Sequence, residues 1–188
     1  DSSLNPLAFS AMATYTYTTN NVTDYDAYAK TIALAGVNYV REFINWRDLV
    51  ANNRHLKKTK ALIDAYNANG IDVMLMIQDM PGENARNTAY YEKGNCITYD
   101  MNIAYSAIKE LLNNFSGKID AIEVLNEPDD LTEMDTADRY ASLLKVASIA
   151  AAEMDDSVKI STAGIAKCNS IFAQRLLQND IGGYVDIY

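Results

Sequence analysis

The chain has 188 residues, of which 49% are hydrophobic, and residues 1–188 are predicted to form one domain with a substantial core. Its 16 basic and 25 acidic residues give a formal net charge of −9, and the basic residues are scattered, which makes nucleic acid and anionic membranes poor partners. One histidine and two distant cysteines argue against histidine-rich metal sites, zinc knuckles and Ser-His-Asp catalysis, so no metal or cofactor is expected.

Hydropathy predicts no membrane insertion, because no apolar stretch approaches the roughly 18 residues that a membrane-spanning helix needs. The first residues, Asp1-Ser2-Ser3, lack the charged and apolar regions of a signal peptide. A mature secreted product and a trimmed piece of a longer chain both fit this start, and the sequence leaves the two open.

Strand-like and helix-like runs alternate along the first half of the chain. Apolar and β-branched runs predict strands over 7–13, 37–43 and 71–77, and helical spacing predicts helices over 24–35 and 56–69. Thr23 is the predicted N-cap of the first helix, and Gly36 and Gly70 are the predicted helix terminators. A long polar loop is expected to follow the strand that Pro81-Gly82 ends.

The second half continues the alternation. Helices are predicted over 104–115, 136–154 and 170–178, and strands over 119–125, 158–163 and 184–188. Crossovers of this length predict a parallel sheet, either an open doubly wound sheet or a (β/α)8 barrel. The first predicted strand leads into Thr and Tyr residues instead of a Gly-rich phosphate loop, which favours the barrel. Six strands cannot close an eight-stranded barrel, so we expect an α/β fold of the (β/α)8 TIM-barrel type that is incomplete.

The tripeptide Asn126-Glu127-Pro128 follows the predicted strand over 119–125. Catalytic groups of parallel α/β proteins gather where such strands end, so Glu127 is the best catalytic candidate, and the Asn126 amide suits a hydroxyl ligand. The alternative is that Glu127 caps the loop before the next helix.

Other side chains near predicted strand ends are candidates for substrate binding. Gln78 and Asp79 end the third strand and suit hydroxyl groups, although an ordinary structural role is equally open. Trp46 has an apolar face that can stack on a sugar ring, and a lone tryptophan is as often part of the core. Glu42 alternates with Arg41 and is expected to point to the opposite face, toward the helices.

Three segments resemble clan A glycoside hydrolases, the superfamily of retaining glycosidases that includes families 5 and 39. The segment over 36–41 with Trp46 resembles the second strand of that clan, the segment over 123–128 resembles its fourth strand, and the segment over 185–188 resembles the start of its sixth strand. The resemblance implies that Glu127 is the acid/base, that Asn126 binds the sugar and that Arg41 lies in the active-site floor. An ion pair of Arg41 with Glu123 is an alternative role, and both roles are compatible.

The resemblance also implies a missing partner. The nucleophilic glutamate of the clan follows the seventh strand, and this sequence reaches only the sixth. We expect a fragment of a longer polypeptide, with a natural short relative that has lost catalysis as the alternative. The fragment alone is expected to be inactive, and its unpaired strand edge to be prone to aggregation.

The sequence and the resemblance together predict a glycoside hydrolase that acts on a β-linked poly- or oligosaccharide and is secreted, periplasmic or at the cell surface. The alternative is a non-catalytic barrel that binds carbohydrate through the same residues. A lyase or aldolase is disfavoured, because the only lysine near a strand end, Lys167, lies in a predicted loop. The oligomeric state is not predicted.

Overall fold

A computed structural model describes residues 10–13, 24–45, 53–78, 100–129 and 136–188. Within these ranges five strands alternate with five helices. The elements are β1 (Ser10–Ala13), α1 (Tyr25–Leu34), β2 (Tyr39–Asn45), α2 (Asn53–Ala68), β3 (Asp72–Gln78), α3 (Met101–Phe115), β4 (Ala121–Val124), α4 (Ala137–Met154), β5 (Lys159–Ser161) and α5 (Ser170–Leu177), with a short 3-10 turn at Ala166–Cys168.

The five strands form one parallel sheet in the order β1-β2-β3-β4-β5. A doubly wound sheet would reverse its strand order midway, and no reversal occurs among these strands. The α/β fold of incomplete (β/α)8-barrel type is therefore confirmed, with neighbouring strands consecutive in the chain.

The core lies between the sheet and the helices. In β2 every second residue is buried against the helix layer, and the residues between them are half-exposed on the other face of the sheet, which is the barrel interior. Helix α3 buries six residues that recur at the helical period of 3.6 on one face, and it packs against α4. These six residues are Ala104, Ala107, Ile108, Leu111, Leu112 and Phe115.

The first helix begins differently from the prediction. Asp24, and not Thr23, is the N-cap of α1, because its side-chain Oδ1 accepts the backbone N–H of Ala27 at 2.9 Å. Thr23 itself lies outside the described residues. Gly36 and Gly70 follow α1 and α2 with φ angles of +86° and +70°, as expected for left-handed helix terminators.

The predicted sixth strand over 184–188 is reduced to a single parallel bridge between Ser161 and Ile187. The carboxylate of Asp186 accepts the backbone N–H of Ile160 at 2.8 Å, where the backbone carbonyl of a paired strand would otherwise accept it. The backbone N–H groups of Asp186 and Ile187 also donate to the carbonyl of Ile160, and the N–H of Thr162 donates to the carbonyl of Ile187. The segment therefore continues the sheet order beside β5 with a single bridge.

None of the helices in the described ranges combines the length and apolar character that crossing a membrane requires. The same ranges contain no group of three or more His, Cys, Asp or Glu side chains arranged to hold a metal ion.

Candidate active site

The alternation of β2 sends two neighbouring charged residues to opposite faces of the sheet. Glu42 is completely buried on the helix side, as predicted, and accepts a hydrogen bond from the hydroxyl of Tyr66 in α2 at 3.1 Å. Arg41 lies on the barrel side, in the same row as Phe43 and Asn45. The charged group that faces the barrel interior is therefore the guanidinium.

Arg41 connects two strands across the one between them. Its Nε and Nη2 donate to the two carboxylate oxygens of Glu123 at 2.5 and 2.7 Å, and Nη2 also donates to Oδ1 of Asn126 at 3.0 Å. On the intervening strand β3, Arg41 is aligned with Met74 and Glu123 is aligned with Met76, two residues further along. The side chains of Arg41 and Glu123 nevertheless meet in the barrel interior, where alternate strands such as β2 and β4 contribute to one layer of side chains.

The ion pair is largely shielded from water, since the side chains of Arg41 and Glu123 are 21% and 5% exposed. The hydrogen bond to Glu123 raises the pKa of Arg41, burial opposes this effect, and the charges of Glu123 and Glu127 add to it. Arg41 is therefore a permanent cation, and the carboxyl of Glu127 lies within its electrostatic reach.

The turn after β4 holds two non-glycine residues in the left-handed region, Leu125 at φ +67° and Glu127 at φ +49°. The N–H of Leu125 donates to the carbonyl of Ile77 at 3.0 Å, and the N–H of Glu127 donates to the carbonyl of Gly164 at 3.1 Å. Leu125 and Pro128 are buried, whereas the side chain of Glu127 is exposed. Backbone hydrogen bonds thus hold the turn to β3 on one side and to the segment after β5 on the other, and the carboxyl group of Glu127 is exposed.

The structure brings together Arg41, Asn126 and Glu127. Gln78 is the last residue of β3, on the barrel-facing row, and its Oε1 is buried with no hydrogen-bond donor among the described residues. Trp46 and Asp79 lie outside the described residues.

Sequence reasoning missed two residues that support the turn. Tyr140 lies in the helix predicted over 136–154, and its hydroxyl bonds the backbone at the end of β4. Asp129 accepts the N–H of Ala166 at 2.7 Å and ties the turn to the segment after β5. The available signal for Tyr140 was its hydroxyl within an otherwise apolar helix face, because a buried phenol requires a partner.

No protein-family profile matches the chain, and no curated protein matches it either. Many solved structures share its fold. The catalytic domain of family 30 xylanase C from Talaromyces cellulolyticus has a TM-score of 0.67 at 12% identity, covering 96% of this chain and 51% of that one.

Two further solved structures extend this likeness across families. A family 39 glycoside hydrolase from Bacteroides cellulosilyticus has a TM-score of 0.57 at 14% identity, over 84% of this chain and 31% of that one. A β-glucosidase from Thermotoga maritima has a TM-score of 0.54 at 18% identity, over 79% of this chain and 42% of that one. The chain thus spans about a third to a half of these proteins. Its fold is part of the TIM barrel that these solved structures share.

Proposed function

We propose that this chain supplies the acid/base and part of the sugar-binding site of a retaining glycoside hydrolase that acts on a β-linked poly- or oligosaccharide. The observation that carries the proposal is the network in which Arg41, from the first half of β2, bonds Glu123 of β4 and Asn126 just after β4, beside the exposed carboxyl of Glu127. The chain has the fold of known glycoside hydrolases, which is consistent with this chemistry.

The contacts distinguish the two glutamates. An acid/base must deliver a proton to the leaving oxygen and later take one from water, so its carboxyl must reach the substrate space. Both oxygens of Glu123 are occupied by Arg41, and its side chain is buried. Glu127 is exposed and lies four residues after Glu123, past the end of the strand. The proposal therefore assigns proton transfer to Glu127 and the orientation of Arg41 to Glu123.

Asn126 is oriented for donation. Only its carbonyl oxygen can accept from Arg41, so the bond from Nη2 at 3.0 Å identifies that oxygen as Oδ1 and turns the amino group away from the guanidinium. Within the described part of the chain the Nδ2 group has no partner. We assign it to a sugar hydroxyl next to the scissile bond, where a hydrogen bond can strengthen as the oxocarbenium-like transition state forms.

The remaining assignments follow the same geometry. The unpaired Oε1 of Gln78 suits a sugar hydroxyl, and Asp79 and Trp46 are proposed as further hydroxyl and ring contacts. The nucleophilic carboxylate is expected on a later strand of the closed barrel, about 5 to 5.5 Å from Glu127 across the glycosidic bond. A polysaccharide substrate implies a secreted, periplasmic or cell-surface protein, and neither nucleic acid nor a membrane is a proposed partner.

The experiment compares Glu127→Ala with the wild type in a polypeptide that carries this sequence within a closed barrel. With an aryl β-glycoside that has an activated leaving group, departure needs little protonation while water still needs a base. We expect a burst of phenol followed by slow turnover, and azide should restore turnover with formation of the β-glycosyl azide. Glu110→Ala, at an exposed position in α3, is the matched control and should leave turnover unchanged.

Each other outcome has a defined meaning. The inverted α-glycosyl azide would identify Glu127 as the nucleophile instead. Unchanged turnover in Glu127→Ala would remove it from the mechanism. Saturable oligosaccharide binding without hydrolysis by the closed barrel would support the non-catalytic binding protein. The 188-residue chain alone is expected to be inactive, and glycoside hydrolysis by it that Glu127→Gln abolishes would point to another carboxylate within the chain.

A further inference from the structure

A tyrosine of the helix layer reaches the backbone at the carboxyl end of the sheet. Tyr140 belongs to α4 and is fully buried. Its hydroxyl donates to the carbonyl of Val124, the last residue of β4, at 2.8 Å and accepts the N–H of Ala163, two residues after β5, at 2.6 Å. Its ring packs at a tilt on Phe172 of α5, with centroids 6.2 Å apart. One side chain thus connects two strand ends.

The hydroxyl is placed where the pairing of β4 with β5 stops. The ladder runs from Ala121 to Glu123 on β4, and the carbonyl of Val124 and the N–H of Ala163 come next. These two groups meet through the hydroxyl, which acts as a spacer between the strands. Because burial raises the pKa of Tyr140, the hydroxyl keeps its proton and remains a donor to Val124.

Beyond this spacer the two chain segments meet again. The N–H of Glu127 donates to the carbonyl of Gly164 at 3.1 Å, and Asp129 accepts the N–H of Ala166 at 2.7 Å. Tyr140 thus bonds both chain segments at the residues just before the contacts that hold the backbone of Glu127.

The turn depends on such support because its backbone is strained. Leu125 and Glu127 both have positive φ, a conformation that side chains disfavour and that persists only where surrounding contacts impose it. Gly164 and Ile77 hold the turn through single backbone bonds. Tyr140 is the side chain whose hydroxyl joins both strands at the base of this turn.

We propose that Tyr140 is a positioning residue, which holds the backbone of Glu127 so that its carboxyl meets the leaving oxygen of the sugar. The inference rests on the proposed function of Glu127. The inference adds that proton transfer by Glu127 also requires Tyr140, a helix residue that does not contact the substrate.

Tyr140→Phe, made in the polypeptide that carries this sequence within a closed barrel, tests the inference, because it keeps the ring and removes only the hydroxyl. A displaced acid should slow glycosylation when the leaving group needs protonation, and an activated leaving group should conceal the defect. We expect kcat/KM for an unactivated β-glycoside to fall about 10- to 100-fold, since small displacements in an active site have effects of this order. For a dinitrophenyl β-glycoside it should change less than about threefold, since that leaving group needs no acid.

Tyr66→Phe is the matched control. Tyr66 is also fully buried, and its hydroxyl also makes a buried hydrogen bond, but to Glu42 of β2 on the helix side of the sheet. A general loss of stability would affect both variants and both substrates alike. A change in the ratio of the two kcat/KM values in Tyr140→Phe alone supports positioning, and an unchanged ratio in Tyr140→Phe overturns it.

Glu127→Ala, measured in parallel, separates the two proposals. If it leaves the ratio of the two substrates unchanged, the proposed function fails. If it changes the ratio while Tyr140→Phe does not, only the positioning inference fails. Amide hydrogen exchange gives a readout that needs no activity: Tyr140→Phe should speed exchange at Glu127 and Ala163, while Tyr66→Phe should not. Unaltered exchange at Glu127 in Tyr140→Phe would also overturn the inference.

Discussion

The two ends of the sheet use carboxylates differently. At the amino ends of the strands, Asp120 and Asp186 each precede a sheet residue and accept the backbone N–H of the neighbouring strand, from Val73 at 3.0 Å and from Ile160 at 2.8 Å. At the carboxyl end, Asp129 also accepts a backbone N–H, but the side chain of Glu127 is exposed. The carboxyl end thus adds an exposed carboxylate that a ligand can reach.

Backbone strain follows the same division. The described turns that lead into β2, β3 and β4 place glycines at positive φ, namely Gly36, Gly70 and Gly117, and glycine tolerates this region. The turn that leaves β4 places Leu125 and Glu127 there, although each side chain disfavours it. The connection from α5 to the segment over 184–188 has Asp180 at φ +52°, and aspartate is one of the residues that tolerate this region. The turn that leaves β4 differs because it holds two larger side chains there, two positions apart, and one of them is Glu127.

The largest expected difference between the two ends concerns their ion pairs. Arg41→Met would leave Glu123 buried without its cation, and we expect the free energy of unfolding to fall by about 3 kcal/mol. Lys118→Met removes the ion pair with Asp64 near the amino ends of the strands. The side chains of Lys118 and Asp64 are 40% and 54% exposed, so the free energy of unfolding should change by less than about 1 kcal/mol. Urea unfolding measures both, and equal losses would contradict the comparison.

Ionisation of Tyr39, at the amino end of the barrel-facing row of β2, is expected to have a smaller effect on the free energy of unfolding. Burial, followed by the charges of Asp120 and Asp72, raises the pKa of Tyr39 to about 12. Between pH 10 and 12 the unfolded chain loses this proton while the folded chain retains it. The associated stability is therefore complete below about pH 10 and is lost as the pH rises to about 12, by roughly 1 to 2 kcal/mol for this half-buried group.

Tyr39→Phe should remove that part of the alkaline loss. We expect its stability relative to the wild type to rise between pH 9 and pH 12 in urea unfolding series, by roughly 1 to 2 kcal/mol. Tyr188→Phe, at an exposed position, is the control. Parallel curves for Tyr39→Phe and the wild type would show that the phenol does not contribute.

The aspartates at the amino ends should contribute about 1 kcal/mol each, the usual value for a partly buried hydrogen bond. Asp120→Ala leaves the N–H of Val73 without its acceptor, whereas Asp120→Asn keeps an oxygen there. We expect thermal unfolding to show a clear loss for the alanine variant and a smaller one for the asparagine variant. Catalytic constants of the closed barrel should stay the same in both, and a loss of activity would place function at both ends.

The smallest expected effect is at Glu127, where glycine should be more stabilising than alanine, although in a helix or strand it is usually less so. At φ +49° glycine fits better than alanine, so Glu127→Gly should be more stable than Glu127→Ala by about 0.5 to 1 kcal/mol, although both lack the carboxyl. The same two substitutions at Glu110, inside α3, should rank in the opposite order. If alanine is the better residue at both positions, the turn after β4 is not strained.

The sequence predicted the presence of strands and helices more accurately than the residues at which they begin and end. The strand predicted over 37–43 is observed at Tyr39–Asn45, and the N–H of Val37 bonds back to the carbonyl of Ile32 in α1 instead of a neighbouring strand. Alternation of apolar residues marks which residues face the core, but the last ladder bond depends on the neighbouring strand. The same reason reduces the predicted strand over 184–188 to one bridge.

By itself the sequence determined the order of strands and helices through local periodicity and marked Asn126 and Glu127 through a short motif at a strand end. The family resemblance marked Arg41, and the ion pair with Glu123 that the sequence offered as an alternative role is confirmed. Only the tertiary structure decided that Asn126, 85 residues from Arg41, joins this pair and that Tyr140 bonds the ends of both β4 and β5. Such contacts join residues that strand stagger and helix packing bring together, and no local pattern records which distant partner satisfies a buried polar group.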